Sequence, residues 1–190
     1  MDRQAIVAGQ FYPGTAATLQ QQVQKLLQGQ PDEKKTILAM APHAGYIFSG
    51  SIAGQTLSQA NLSKTIILLG PNHTGRGARI ALWPDGKWFF PGGHLQINEN
   101  LASEIAKIPE ITPDYQAHLY EHSLEVLLPF LWAINNNFQI VPISVSEYNP
   151  AILFQLGQKL AQVLSSQQYN NNISLVVSSD MSHYISHEQA

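Results

Sequence analysis

Short, unbroken apolar runs recur along the chain at residues 36–40, 65–69, 139–143 and 173–177. They lack the alternation of a strand with one wet face, so they read as strands buried on both sides. Between them the apolar spacing changes to helical. Leu19, Val23, Leu26 and Leu27 share one face of a helix that Thr15 can cap and Gly29 ends. Further helices are predicted over 52–59, 98–107, 123–135 and 151–164. In the third of these Leu124, Leu127, Leu128 and Leu131 fall on one side, and Pro129 must kink or restart the helix because it has no amide hydrogen to donate. Strand and helix alternate, so the expected fold is α/β, a three-layer sandwich with a largely parallel central sheet. The Asn-rich stretches 135–137 and 170–172 read as solvated turns.

Length and composition narrow this picture. With 190 residues and 44% hydrophobic content, one domain over 1–190 is the simplest organisation. Only 12% of residues are charged, with a formal net charge of -3 and no cluster of Lys and Arg, which argues against nucleic acid as a partner. No stretch approaches the roughly 20 apolar residues of a membrane span, and the first residues do not form a secretion signal. A cytoplasmic protein is expected. Cysteine is absent, so any metal ligands in this sequence must come from His, carboxylate, backbone or water.

In an open parallel sheet, ligands gather where the strands end, because loops diverge there and leave a crevice. Three strand ends deliver polar residues to that edge: Pro42-His43-Ala44-Gly45-Tyr46, Pro71-Asn72-His73-Thr74 and Ser179-Asp180-Met181-Ser182-His183. A lone loop histidine is more often solvated than ligating, but His43 and His73 each follow an apolar strand closely and are flanked by Gly or Pro. They are the candidate metal ligands. Asp180, Asn72 and Tyr46 are candidate pocket-lining residues. His183 and His122, the latter at the start of a helical pattern, are candidate acid-base residues. His94, His118 and His187 sit in polar contexts with no preceding strand and read as surface, although His118 and Glu121 are placed to support the site from behind. Imidazole suits iron, zinc, copper and nickel. The stretch 80–97, with Trp83, Pro84, Gly86, Trp88, Pro91, Gly92 and Gly93, breaks the strand-helix rhythm and is expected to be a hairpin or excursion beside the pocket. No Gly-x-Ser-x-Gly elbow is present, which sets a serine hydrolase aside.

Five ordered blocks resemble the signatures of the Memo family, called AmmeMemoRadiSam system protein B in bacteria and archaea. They are 8–13 (Ala-Gly-Gln-Phe-Tyr-Pro), 41–50 around His43, 69–73 ending in His73, 121–131 around His122, and 178–184 containing Asp180 and His183. The resemblance implies a fold similar to class III extradiol dioxygenases, with His43 and His73 as metal ligands and Asp180, His183 and His122 in the same pocket. It further implies a divalent metal, iron first with zinc or copper as alternatives. Members of that family continue past the last block, and many carry there a cysteine that joins the histidines, so the chain is expected to be C-terminally incomplete.

Two functions follow as expectations. One is a non-haem iron, dioxygenase-like oxidoreductase acting on a small molecule. The other is a non-catalytic protein that holds a metal, small ligand or peptide within a modification system that includes a radical S-adenosylmethionine partner, as the family's bacterial name implies.

Overall fold

The computed structural model describes residues 1–166, 168–169, 172–182, 185–186 and 188–189. The predicted buried runs become β1 (Leu38–Ala41), β2 (Thr65–Pro71), β7 (Gln139–Val145) and β8 (Ile173–Ser178). Between β2 and β7 lie four further strands: β3 (Ile80–Leu82), β4 (Lys87–Phe90), β5 (Gly93–Ile97) and β6 (Thr112–Pro113). The main path through the sheet runs β1-β8-β2-β7-β3-β6. β1, β8, β2 and β7 are all parallel, in the registers Ala41↔Ser178, Leu69↔Val177 and Gly70↔Ser144. The last strand in sequence is thus inserted between the first two, and the polar residues after β1, β2 and β8 emerge side by side at one edge.

Helices cover both faces. On one lie α1 (Ala16–Leu26), α2 (Tyr46–Gln59) and α4 (Leu128–Ile134); on the other lie α3 (Glu99–Ile105) and α5 (Pro150–Leu164). The caps follow the sequence: side-chain oxygens of Thr15, Asn98 and Asn149 accept backbone N–H groups at the starts of α1, α3 and α5. Pro129 acts as anticipated, since a 3-10 turn at Glu125–Leu127 gives way to a fresh helix with proline in its first turn. Ile66, Ile67, Leu68, Ile140, Val141 and Val176 are fully buried, alternating between the two faces of the sheet, and share one apolar core with Leu127, Leu128, Phe130 and Leu131. Each such side chain contributes about 1.5–3 kcal/mol relative to exposure, and this fixes the register that aligns the strand ends.

The excursion at 80–97 does form a hairpin, β4 against β5, but not beside the pocket. β3 leaves the carboxyl end of β7 antiparallel to it, from Ile80↔Val145 to Leu82↔Ile143. The chain is carried to the opposite end, where β5 returns alongside the start of β7 at Gln96↔Gln139. Among the described residues, no helix is long and apolar enough to cross a membrane.

Candidate metal centre

At the carboxyl edge, His43 leaves β1, His73 leaves β2, and His122 arrives from the loop that precedes the 3-10 turn. Each offers a ring nitrogen, and these atoms lie within 4.8 Å of one another. The His73 and His122 rings stack at 4.8 Å between centroids, and His43 stands edge-on to both at 5.3 and 5.7 Å. His43 is buried, His122 half-buried and His73 exposed, so the group opens in one direction.

What holds the rings is a set of buried acceptors. Glu121, 2% exposed, takes hydrogen bonds from His73 Nδ1 at 2.9 Å, from the His73 amide at 2.5 Å, and from the His122 and Ser123 amides, both at 2.9 Å. Burial opposes ionisation of this carboxyl, but the hydrogen bonds from the His73 ring and from the Ser123 and His73 amides outweigh it and keep the group below the usual glutamate range. With Nδ1–H of His73 committed to the carboxylate, its Nε2 lone pair is free. This is the carboxylate-histidine arrangement that commonly orients a metal ligand.

His43 is held differently. Its backbone N–H donates to Asp180 Oδ1 at 2.8 Å, and its Nδ1 meets Ser178 Oγ at 2.8 Å. Its Nε2 is buried with no hydrogen-bond partner among the described residues, Asp180 Oδ2 standing off at 3.8 Å. Burial pushes the His43 imidazole down to about 4; Asp180 opposes the shift, while His73 and His122 add to it. Burial likewise lowers His122 against the pull of Glu121. A buried imidazole nitrogen with no hydrogen-bond partner among the described residues is costly, and as an acceptor it is suited to a divalent ion. The donor set therefore fits a nitrogen-ligated metal.

Above the histidines lies an open cavity of about 930 Å³, walled by Phe11, Pro42, Phe48, Ile52 and Met181, with Asp180 and the three imidazoles at its polar end. The N-terminal segment supplies one wall: Phe11 lies on His122 at 4.6 Å, and its carbonyl accepts the Tyr46 amide at 2.8 Å. Among the residues singled out from sequence, His43, His73, His122 and Asp180 come together here. Asn72 and Tyr46 are not among the lining residues. The Asn72 amide group instead braces the loop after His73, accepting from Thr74 and Gly75 and donating to the Arg76 carbonyl, while the Tyr46 hydroxyl donates to Val126 O in the core. His183 and His187 lie outside the described residues.

His118 corrects a sequence expectation. It is fully buried, in edge-on contact with Trp83 and Trp88, and its Nε2 bonds Ala81 O at 3.0 Å. Phe48, Ile52 and Met181 were not foreseen as walls, since nothing in their local sequence separates them from core residues. Phe11 lies in the first of the five family-like blocks, residues 8–13.

Comparison with known proteins gives the family of the chain. A family model described as Memo-like protein matches residues 3–190. A MEMO1 family protein of Sulfurisphaera tokodaii is 37% identical over 207 aligned residues, covering 100% of this chain and 72% of the relative. Its counterpart in Aquifex aeolicus is 40% identical over 190 residues, covering 99% of this chain and 70% of the relative. With the family model matching nearly its whole length, the chain belongs to the Memo family.

Proposed function

We propose that this protein binds a divalent transition metal through His43, His73 and His122 and uses it to engage a small ligand with an apolar body, as a non-haem, dioxygenase-like oxidoreductase. The observation that carries this reading is the buried, partnerless Nε2 of His43 beside two further imidazoles at the floor of an apolar-walled cavity. When bound, such a metal supplies Lewis-acid polarisation of the ligand and, if it is iron or copper, one-electron redox chemistry. The chain's own residues do the rest. Phe11, Phe48 and Met181 bury the ligand's apolar part and displace water, and Glu121 and Ser178 fix the rings. Asp180 presents a carboxylate oxygen 3.8 Å from His43 Nε2, where it can accept a proton from a ligand hydroxyl. His122, expected as an acid-base residue, is better employed as a ligand given its place in the imidazole group.

The test is metal analysis followed by turnover. Wild type loaded anaerobically with Fe(II), Zn(II) or Cu(II) should retain about one equivalent of a preferred ion, and His43→Ala or His73→Ala should each weaken retention by at least about tenfold. Oxygen uptake by the iron form on a panel of catechols then tests the oxidoreductase half. Wild-type metal content in both alanine variants would remove the centre of the proposal; stoichiometric iron without turnover would leave a binding protein. That second reading has support of its own, because the rim residues Phe48 and Met181 are 78% and 81% exposed and offer apolar side chains for a peptide to cover. Within this reading, the cell compartment is the cytoplasm and a radical S-adenosylmethionine enzyme is the candidate partner.

A further inference from the structure

Behind the imidazoles, two buried serine hydroxyls join the segments that carry all three histidines. Ser178, at the end of β8, donates from Oγ to the carbonyl of Ser123 at 2.6 Å. Ser123, next to His122, donates from its own Oγ to the carbonyl of Pro71, two residues before His73, at 2.8 Å. Ser178 Oγ also meets His43 Nδ1 at 2.8 Å. Both serines are at most 1% exposed, so water does not substitute for these contacts.

The direction of every bond in this chain is forced. A backbone carbonyl can only accept, so the single hydrogen of Ser178 is committed to Ser123 O. Ser178 Oγ can therefore meet His43 only as an acceptor, which requires the proton on Nδ1. Were His43 Nδ1 bare, either two acceptors would face each other at 2.6 Å or a lone pair would oppose a lone pair at 2.8 Å, in a site where desolvation makes such a mismatch costly. The sequence provides room for the relay at Gly70 in β2. A Cβ there would sit 2.6 Å from Leu124 Cδ2 and 3.2 Å from both Ser123 Oγ and Ser178 Cβ, pushing the serines apart.

We infer that Ser178, with its hydrogen fixed by the Ser123 carbonyl, is a positioning residue that locks His43 in the Nδ1–H tautomer and so turns the Nε2 lone pair toward the metal-binding group. Glu121 does the same for His73 by a different chemistry, a carboxylate in place of a hydroxyl. The functional consequence rests on the metal reading above; the tautomer itself is a property of the metal-free protein and can be read without it.

Long-range proton-nitrogen correlation of the imidazoles in metal-free protein reports the tautomer directly, and zinc titration of the same samples reports affinity. Wild type is expected to show a protonated Nδ1 and a bare Nε2 for His43. Ser178→Ala should lose that pure pattern, with Nε2–H populated, and bind zinc about 10–100-fold more weakly. Ser178→Thr, which keeps the hydroxyl, should restore both; a purely packing role for Ser178 would not move the tautomer signal. Nε2–H for His43 in wild type overturns the inference without any variant, and so does wild-type zinc affinity with an unchanged tautomer in Ser178→Ala. If instead wild type shows Nδ1–H and Ser178→Ala loses it, yet wild type takes up no metal ion, the metal reading fails while control of the tautomer by Ser178 stands.

Discussion

The ring of His118 is held in the core with one nitrogen bonded to Ala81 O and the other, Nδ1, without a partner among the described residues. Burial pushes this imidazole from 6.5 down to about 4; the bond to Ala81 opposes the shift and the Arg3 charge adds to it. The folded protein thus holds His118 neutral where the unfolded chain would protonate it. Its contribution is fully present above about pH 6.5 and is lost as pH falls from there towards 4, by up to about 3 kcal/mol for a full shift of this size. His118→Gln, which keeps an N–H donor but does not titrate, should flatten the stability profile between pH 7 and 4.5 in urea titrations relative to wild type. Parallel profiles would show that the ring is not held neutral. The sequence could not reveal this residue, because no apolar strand run precedes it and its burial comes from Trp83 and Trp88, which lie 35 and 30 residues earlier in the stretch of short strands β3–β5. His43 and His73 were legible for the opposite reason: each follows its own apolar strand, and the strand alone determines which edge the histidine reaches.

Between residue and sheet, the N-terminal segment 3–12 acts as a strap from the hairpin to the cavity. Arg3 pairs with β4 through Trp88, stacks its guanidinium over that ring at 4.5 Å, and donates to the carbonyls of His118 and Glu121 at 2.9 and 2.6 Å. Its charge is met by Glu125 at 2.7 Å, both side chains fully buried. The same carboxylate accepts from the Ile6 and Val7 amides and from the Tyr12 hydroxyl. One buried acid therefore fixes the strap, and with it Phe11 against His122. Removing one member of such a pair leaves an uncompensated buried charge, which costs about 3–5 kcal/mol. Glu125→Ala should lose stability on that scale in denaturant titration, with amide exchange rising across residues 4–12; a loss below about 1 kcal/mol would mean that the strap is held by packing alone. At this scale the long elements were readable and the short ones were not. β3 and β6, at three and two residues, carry too little pattern to show a period. α2 was expected over 52–59 but begins at Tyr46, because Ile47 and Phe48 in its first turn are exposed and disrupt the expected apolar face.

Across the whole molecule, the sheet topology places three segments distant in sequence at one edge, where among the described residues side-chain hydrogen bonds and ring contacts tie them to each other. An ion held by His43, His73 and His122 would cross-link the exits of β1 and β2 with the loop leading into α4, and would bind only the folded arrangement. Binding confined to the native state stabilises by RT ln(1 + [L]/Kd), about 2.7 kcal/mol at a free metal concentration one hundred times Kd. For a chain of this size that corresponds to a rise in Tm of about 5–10 °C. The rise should be lost in His73→Ala, whose ring is the most exposed of the three. Hydrogen exchange should show where the stabilisation falls: slower exchange at 41–45, 71–74 and 121–123, and little change in the β4-β5 hairpin at the opposite end of the sheet, which shares no residue with the cavity wall. A thermal shift that survives in His73→Ala, or protection centred on the hairpin, would locate the ion elsewhere and separate metal binding from the carboxyl edge.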